Sequence, residues 1–255
     1  MSGPRLSPIG KPVSLFVTCM VDMLYPQTGM SVVKVLEHVG ITVDFPKAQT
    51  CCGQPAFNAG YRRESRQVAE QFLRAFADAE VIVTPSGSCA AMVRHEYPRL
   101  FADDLPRQAE AERLAAITWE FTEFLVDGLG ITDLQARLPQ PTIFAFHDSC
   151  HGLRLLGLGE AGRRLMSQIE NVTLVELSDH DVCCGFGGLF AVKMADVSGA
   201  MLAKKMTHIN NCAARVLGSD VSCMTHINGG LEKSGSPQRM QHIADILAAA
   251  ITAKD

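Results

Sequence analysis

The chain has 255 residues, 47% of them hydrophobic and 20% charged, a balance that excludes a disordered, collagen-like or coiled-coil chain. Lys plus Arg number 23 against 27 for Asp plus Glu, a net charge of -4, so nothing draws the chain in general toward nucleic acid or an anionic membrane. The length suits one large domain or two small ones.

Residues 1–12 lack an apolar run before a small-residue cleavage site and do not read as a secretory signal. The next apolar stretch, 14–24, is interrupted by Asp22 and is too short to span a bilayer. A soluble, cytoplasmic protein with no membrane span and no nucleic-acid partner is expected. Along the first half, 13–17 reads as a strand, 30–39 as a helix, 42–45 as a strand, 63–76 as a helix and 81–84 as a strand. Residues 106–138, rich in Ala, Glu and Leu, read as a helical connector, with Pro139 and Pro141 marking the entry to the next half. The second half repeats the alternation: 142–146, 160–169, 173–177, 197–211 and 214–217, then a closing helix over 238–253. Such alternation implies parallel βαβ units. The expected fold is therefore α/β, with two tandem pseudo-equivalent parallel-sheet lobes over 1–105 and 140–255 joined by 106–139.

The nine cysteines carry the strongest pattern. Cys19, Cys51, Cys52 and Cys89 recur as Cys150, Cys183, Cys184 and Cys223, at offsets of 131, 132, 132 and 134, and Cys212 is left over. Each double cysteine is followed by a glycine, Gly53 or Gly185. Composition alone predicts roughly 0.03 CCG triplets in such a chain, so two in matching frames mark a duplication. Every cysteine of the two sets falls just beyond a predicted strand, at the edge where parallel sheets gather functional groups, so four thiols per half should converge.

In a reducing compartment an odd set of thiols points to metal, cluster or redox chemistry rather than disulfides. Thiolates are soft donors that select iron-sulfur clusters, Zn or Cu(I), and four suit a 4Fe-4S cluster or a structural Zn. Three other readings stand beside the cluster: buried structural cysteines, a zinc-stabilised scaffold without redox role, and a thiol-disulfide oxidoreductase acting through Cys51/Cys52 or Cys183/Cys184. The CxxC pairs common in metal sites are absent, since Met92 and His226 stand three residues past Cys89 and Cys223. His226 is either a ligand or a helix-surface histidine.

Other signals are weaker. Gly157 to Gly162 matches G-x-G-x-x-G, but it lies about ten residues past the end of the predicted strand and reads as a helix-entry loop. His147, Asp148 and His151 surround Cys150 and suit support of a cluster or contact with a substrate, as Asp148 and Ser149 also suit a helix cap. Arg94, Arg154 and Lys193 are candidates to attract an anionic carboxylate or to tune a reduction potential. The Gly185-Phe-Gly-Gly188 run lacks the Lys and Ser/Thr of a phosphate loop and suits close backbone approach to sulfur. Trp119, Phe121 and Phe124 read as core in a predicted helix.

The double CCG pattern resembles the cysteine-rich domain family that includes the CCG-containing chain of heterodisulfide reductase and the iron-sulfur subunits of glycolate oxidase and anaerobic glycerol-3-phosphate dehydrogenase. Cys19-Met-Val-Asp-Met-Leu-Tyr-Pro26, Cys51-Cys-Gly-Gln-Pro55, Pro85-Ser-Gly-Ser-Cys-Ala-Ala-Met92, His147-Asp-Ser-Cys-His-Gly-Leu-Arg154 and Cys183-Cys-Gly-Phe-Gly-Gly188 are more closely similar to the lactate-utilization protein A family. That resemblance extends over nearly the whole chain. It implies an iron-sulfur electron-transfer subunit of a multi-subunit complex that oxidises L-lactate to pyruvate, with other subunits as partners, another iron-sulfur protein among them. The eight paired cysteines would hold iron-sulfur clusters of the 4Fe-4S type, one per lobe, with Zn an option at one site. Such a subunit would not be catalytic alone; His147, His151 and Arg154 are its candidates for catalytic contact. The broader family pattern supplies five thiolates per motif set, and this chain departs from it at Met92 and His226.

Overall fold

The computed structural model describes residues 5–253; residues 1–4, part of the stretch read above for a signal, lie outside the described residues. Strands β1 (Val13–Leu15), β2 (Val43–Asp44), β3 (Ile82–Thr84) and β4 (Thr118–Glu120) form one sheet in the order β2-β1-β3-β4. Strands β5 (Arg137–Phe146), β6 (Glu170–Val175), β7 (Arg215–Gly218) and β8 (Met240–His242) form another in the order β6-β5-β7-β8. Every ladder is parallel. The expected α/β architecture of two pseudo-equivalent lobes is what forms, and the duplication extends to strand order.

The helices between strands bury one face each. Pro26–His38 opens on a proline, whose missing N–H costs nothing at that position, and turns Val32, Val35 and Leu36 inward. Arg62–Ala75 buries Ser65, Ala69, Phe72 and Leu73 at the same helical spacing. One apolar core runs through both lobes, from Val13 and Leu15 to Phe144 and Leu217. A second cluster fills the first lobe with Phe16, Phe72, Phe76, Tyr97 and Phe101. Among the described residues no helix is long and apolar enough to cross a membrane.

Two sequence readings are corrected. Within the stretch read as a helical connector, Leu105–Ile117 is helical, but residues 118–120 are the fourth strand of the first sheet, so Trp119 is a buried strand residue rather than a helical one. The closing stretch likewise contains β8 before the helix Ile243–Thr252. Both strands are three residues long, too short for a period-2 pattern to emerge, and they form because a neighbouring strand edge is open to pair them.

The lobes are bonded to each other at two levels. On the helical side Pro26–His38 packs against Ile243–Thr252, and Thr28 Oγ1 donates to Asp245 Oδ2 at 3.0 Å. At the strand ends Ser86 and Asp220 form an antiparallel bridge, and the buried His242 lies with Nε2 3.1 Å from the Pro85 carbonyl oxygen.

The short strand β4 also creates a titrating group. Glu120 caps the following turn by accepting the Thr122 and Glu123 N–H groups, and Oε1 has no partner among the described residues. Burial pushes its carboxyl up to about 8. An unfolded Glu ionises near about 4.3, so between that pH and about 8 the unfolded chain gives up a proton that the folded chain keeps. Stability should therefore fall as pH rises through this window, by an amount on the order of a few kcal/mol. We expect Glu120→Gln to flatten the dependence of unfolding free energy on pH from 5 to 8, measured by denaturant titration; an unchanged slope would show that Glu120 folds ionised.

Candidate metal centre

Parallel sheets of order 2-1-3 have a switch point between strands 1 and 3, where the chain leaves in opposite directions and a crevice opens at the carboxyl ends. Cys19 follows β1 and Cys89 follows β3, so they flank that point in the first lobe; Cys150 and Cys223 flank the β5/β7 point in the second. The double cysteines follow β2 and β6. The lobes turn these edges toward each other, and all eight cysteines line one cleft of about 370 Å³. Cys212 lies outside it, past the end of the helix Ala195–Asn210.

Within the first lobe Cys19 Sγ lies 3.5 Å from Cys51 Sγ, and Cys52 Sγ lies 3.3 Å from Cys89 Sγ. Cys51 accepts hydrogen bonds from the Cys19 and Cys52 thiols and from the Gly53 N–H, which hold it well below the ordinary thiol range. Cys19 and Cys52 are pushed up in turn, first as the donors to Cys51 and then by burial. The second lobe repeats this: Cys183 is held down by the Cys150 and Cys184 thiols and by the Gly185 N–H at 3.4 Å, while Cys150 and Cys184 rise. Ionisation is thus favoured at Cys51 and at Cys183, while it is opposed at the thiols that donate to them. A bound cation removes that opposition, which is the donor chemistry of a thiolate metal site.

The CCG glycines hold this geometry. Gly53 and Gly185 have φ of +79° and +92°, and their carbonyls accept from the hydroxyls of Ser65 and Ser198 at 3.3 and 2.8 Å. A Cβ on Gly185 would stand 2.8 Å from the Ser198 carbonyl oxygen and 2.9 Å from Met201 Cβ. Gly185→Ala is therefore expected to cost roughly 2–4 kcal/mol, from backbone strain plus overpacking. Gly199→Ala, in the helix Ala195–Asn210 with open space around it, should be neutral or slightly stabilising. Equal unfolding free energies for the two variants would contradict the packing argument. Strain also precedes Cys19: Thr18, a β-branched residue, has φ +74° and lines the cleft.

The helices that present Cys89 and Cys223 begin at Ser86 and Asp220. Ser86 Oγ accepts from Cys89 N at 3.3 Å, and Asp220 Oδ1 from Ser222 N at 3.0 Å. Asp220 Oδ2 crosses to the other lobe, accepting from Ser88 N at 2.7 Å and Ser86 Oγ at 3.3 Å. The same contact zone requires small residues: a Cβ on Gly87 would stand 3.1 Å from Gly152 Cα.

The remaining sequence candidates scatter. His151 lines the cleft with Nδ1 3.4 Å from Cys150 Sγ. His147 is 1% exposed, does not line the cleft, and has its imidazole pushed down to about 4 by burial first and by Lys205. Asp148 pairs with Arg163 and His180 at 2.8 Å each. Arg94 is turned away from any substrate into a buried pair with Glu123 at 3.0 Å, while Arg154 and Lys193 lie outside the cleft lining. Met92 is buried in the first-lobe core, and His226 stands with Nε2 3.4 Å from Ser198 Oγ; neither lines the cleft. The Gly157 to Gly162 run follows a helical turn, Gly152–Leu156, rather than a strand. Sequence reasoning missed the Asp220 clasp, the Tyr97 hydroxyl that donates to the Cys52 carbonyl at 2.9 Å, and the serine braces. Only the serines left a readable signal, recurring at offset 133 in step with the cysteines.

A duplicated α/β lobe whose CCG motifs face a shared cleft defines the class, and the cysteine-rich domain family matches the chain twice, over residues 13–94 and 144–228. Lactate utilization protein A of Geobacillus kaustophilus (strain HTA426) is 48% identical over 238 residues, 93% of this chain and 98% of that protein. The protein of the same name from Exiguobacterium sp. (strain ATCC BAA-1283 / AT1b) is 47% identical over 238 residues, 92% of this chain and 96% of its own length. Lactate utilization protein A 2 of Bacillus cereus (strain 03BB102) is 43% identical over 240 residues, 94% and 98% of the two chains. The chain belongs to the lactate utilization protein A family.

Proposed function

We propose that this chain is an iron-sulfur electron-transfer subunit of a multi-component system that oxidises L-lactate. The observation that carries the reading is the convergence of eight thiols from two duplicated lobes on one cleft, with ionisation favoured at Cys51 in one set and at Cys183 in the other. In this reading Cys19, Cys51, Cys52 and Cys89 hold one group and Cys150, Cys183, Cys184 and Cys223 the other. A bound iron-sulfur group supplies one-electron transfer. The protein's own part is to present thiolates, to direct the Gly53 and Gly185 N–H groups at sulfur and to keep Cys52, Cys89, Cys184 and Cys223 out of water. Lactate enters the reading through the names of the relatives.

Partner subunits follow from the same chemistry. Oxidising lactate removes two electrons together with hydroxyl and α-carbon hydrogens, and His151 is the only sequence candidate for catalytic contact that faces the cleft among the described residues. Exposed apolar side chains flank the cysteines in the chain, Met23 and Leu24 after Cys19 and Val192 and Met194 after the second CCG, and they suit a docking partner. The test is anaerobic preparation followed by iron, acid-labile sulfide and zinc analysis. Iron and sulfide at both cysteine sets are expected, with no lactate-dependent dye reduction by the single chain. Stoichiometric zinc without sulfide would replace the reading with a scaffold, and robust lactate oxidation by the chain alone would overturn the division of labour.

A further inference from the structure

The lobes differ at a pair of positions behind the CCG thiols. Three residues before the first cysteine of each set stand Phe16 and His147. Seven residues past the serine that braces each CCG glycine stand Phe72 and Lys205. In the first lobe these make a buried aromatic pair with ring centroids 5.0 Å apart. In the second both are polar, with His147 at 1% and Lys205 at 2% exposure. Lys205 Nζ donates to the Asp179 carbonyl oxygen. Neither nitrogen of His147 has a hydrogen-bond partner of good geometry among the described residues, although the His180 backbone lies close by.

A buried imidazole with both nitrogens unsatisfied is unfavourable, and the first lobe shows that this position accepts a phenyl ring instead. What the imidazole does have nearby is sulfur: one ring nitrogen, Cys184 Sγ and Cys223 Sγ all lie within 4.8 Å of one another. That separation lets a single metal atom meet all three donors with small side-chain movement. His147 is buried and is not among the residues that line the cleft, so its role faces the metal and not a substrate.

We propose that His147 is a nitrogen ligand of the metal group held by the second-lobe thiols, so that the two lobes carry chemically different sites, thiolate only in the first and thiolate with imidazole in the second. The proposal rests on the iron-sulfur reading above. A neutral imidazole brings less negative charge than a thiolate, and the buried ammonium of Lys205 adds positive field, so the second site takes electrons at the higher potential. The duplicated thiols thereby become an ordered pair rather than two copies of one site.

The experiment uses the full chain carrying 15N-imidazole histidine, reconstituted anaerobically with ferrous iron and sulfide and reduced for pulsed EPR. Wild-type protein is expected to show nitrogen hyperfine coupling that changes on labelling. His147→Phe, which copies the first-lobe residue, should abolish the coupling and lower the potential of one of two reduction steps. Coupling that is absent, or that survives His147→Phe and disappears only in His151→Ala, overturns the proposal while leaving the iron-sulfur reading intact. A chain that takes up no iron or sulfide overturns both.

Discussion

Cys184→Ser and Cys51→Ser are each expected to remove about half of the iron and sulfide of the reconstituted protein, whereas Cys212→Ser should keep all of it. A serine hydroxyl is a hard donor that stays protonated near neutral pH and replaces a thiolate poorly toward iron. Cys184 and Cys51 stand in the cleft with the other six thiols of the duplicated sets, and each exchanges thiol hydrogen bonds with neighbours of its own set. Cys212 instead lies past the helix Ala195–Asn210, packs against the core, and offers its backbone carbonyl to Gln238. The measurement is iron per chain by colorimetric assay, with a far-UV spectrum to show that each variant is folded. Loss of iron in the Cys212 variant would demand a different ligand set, and retention of full iron in Cys184→Ser would show that Cys184 is not a required ligand.

Asp220→Ala is expected to cost the metal-free protein about 3–4 kcal/mol of unfolding free energy. Asp220 is 1% exposed and satisfies two backbone N–H groups, Ser222 in its own lobe and Ser88 in the other, besides the Ser86 hydroxyl. Alanine leaves the buried Ser88 N–H without an acceptor, at roughly 1–3 kcal/mol, and removes the cap of the helix Val221–Lys233 at its half-buried Ser222 N–H, at roughly 0.5–2 kcal/mol more. Asp220→Asn keeps one carbonyl oxygen for one of the two N–H groups and should fall between. Denaturant unfolding under anaerobic reducing conditions checks this, with metal left out because a bound group would add its own stabilisation. Because Ser88 and Ser222 adjoin Cys89 and Cys223, the alanine variant should also bind iron less tightly in both lobes. A change below about 1 kcal/mol would mean that the clasp between the lobes is incidental to their association.

Repetition in the sequence was enough to determine the α/β class, the two lobes and the gathering of thiols at strand ends, because a strand-helix alternation with cysteines at fixed offsets can satisfy its pattern in only one way. Longer elements such as Arg62–Ala75 and Ala195–Asn210 were legible within a residue or two, since their apolar spacing repeats over several turns. Tertiary structure decided the rest. The strands at 118–120 and 240–242 exist because β3 and β7 have open edges to pair, which no local pattern of three residues announces. That the two thiol sets share one cleft depends on Asp220 reaching Ser88 and on Gly87 meeting Gly152, contacts between residues more than 60 positions apart. The separation of His151, which faces that cleft, from His147, which is buried beside Cys184 and Cys223 and does not line it, follows from where the chain turns after β5, and the five residues of sequence from one histidine to the other carry no sign of it. Sequence carries which donors are present and how often; only packing fixes the direction from which each one arrives.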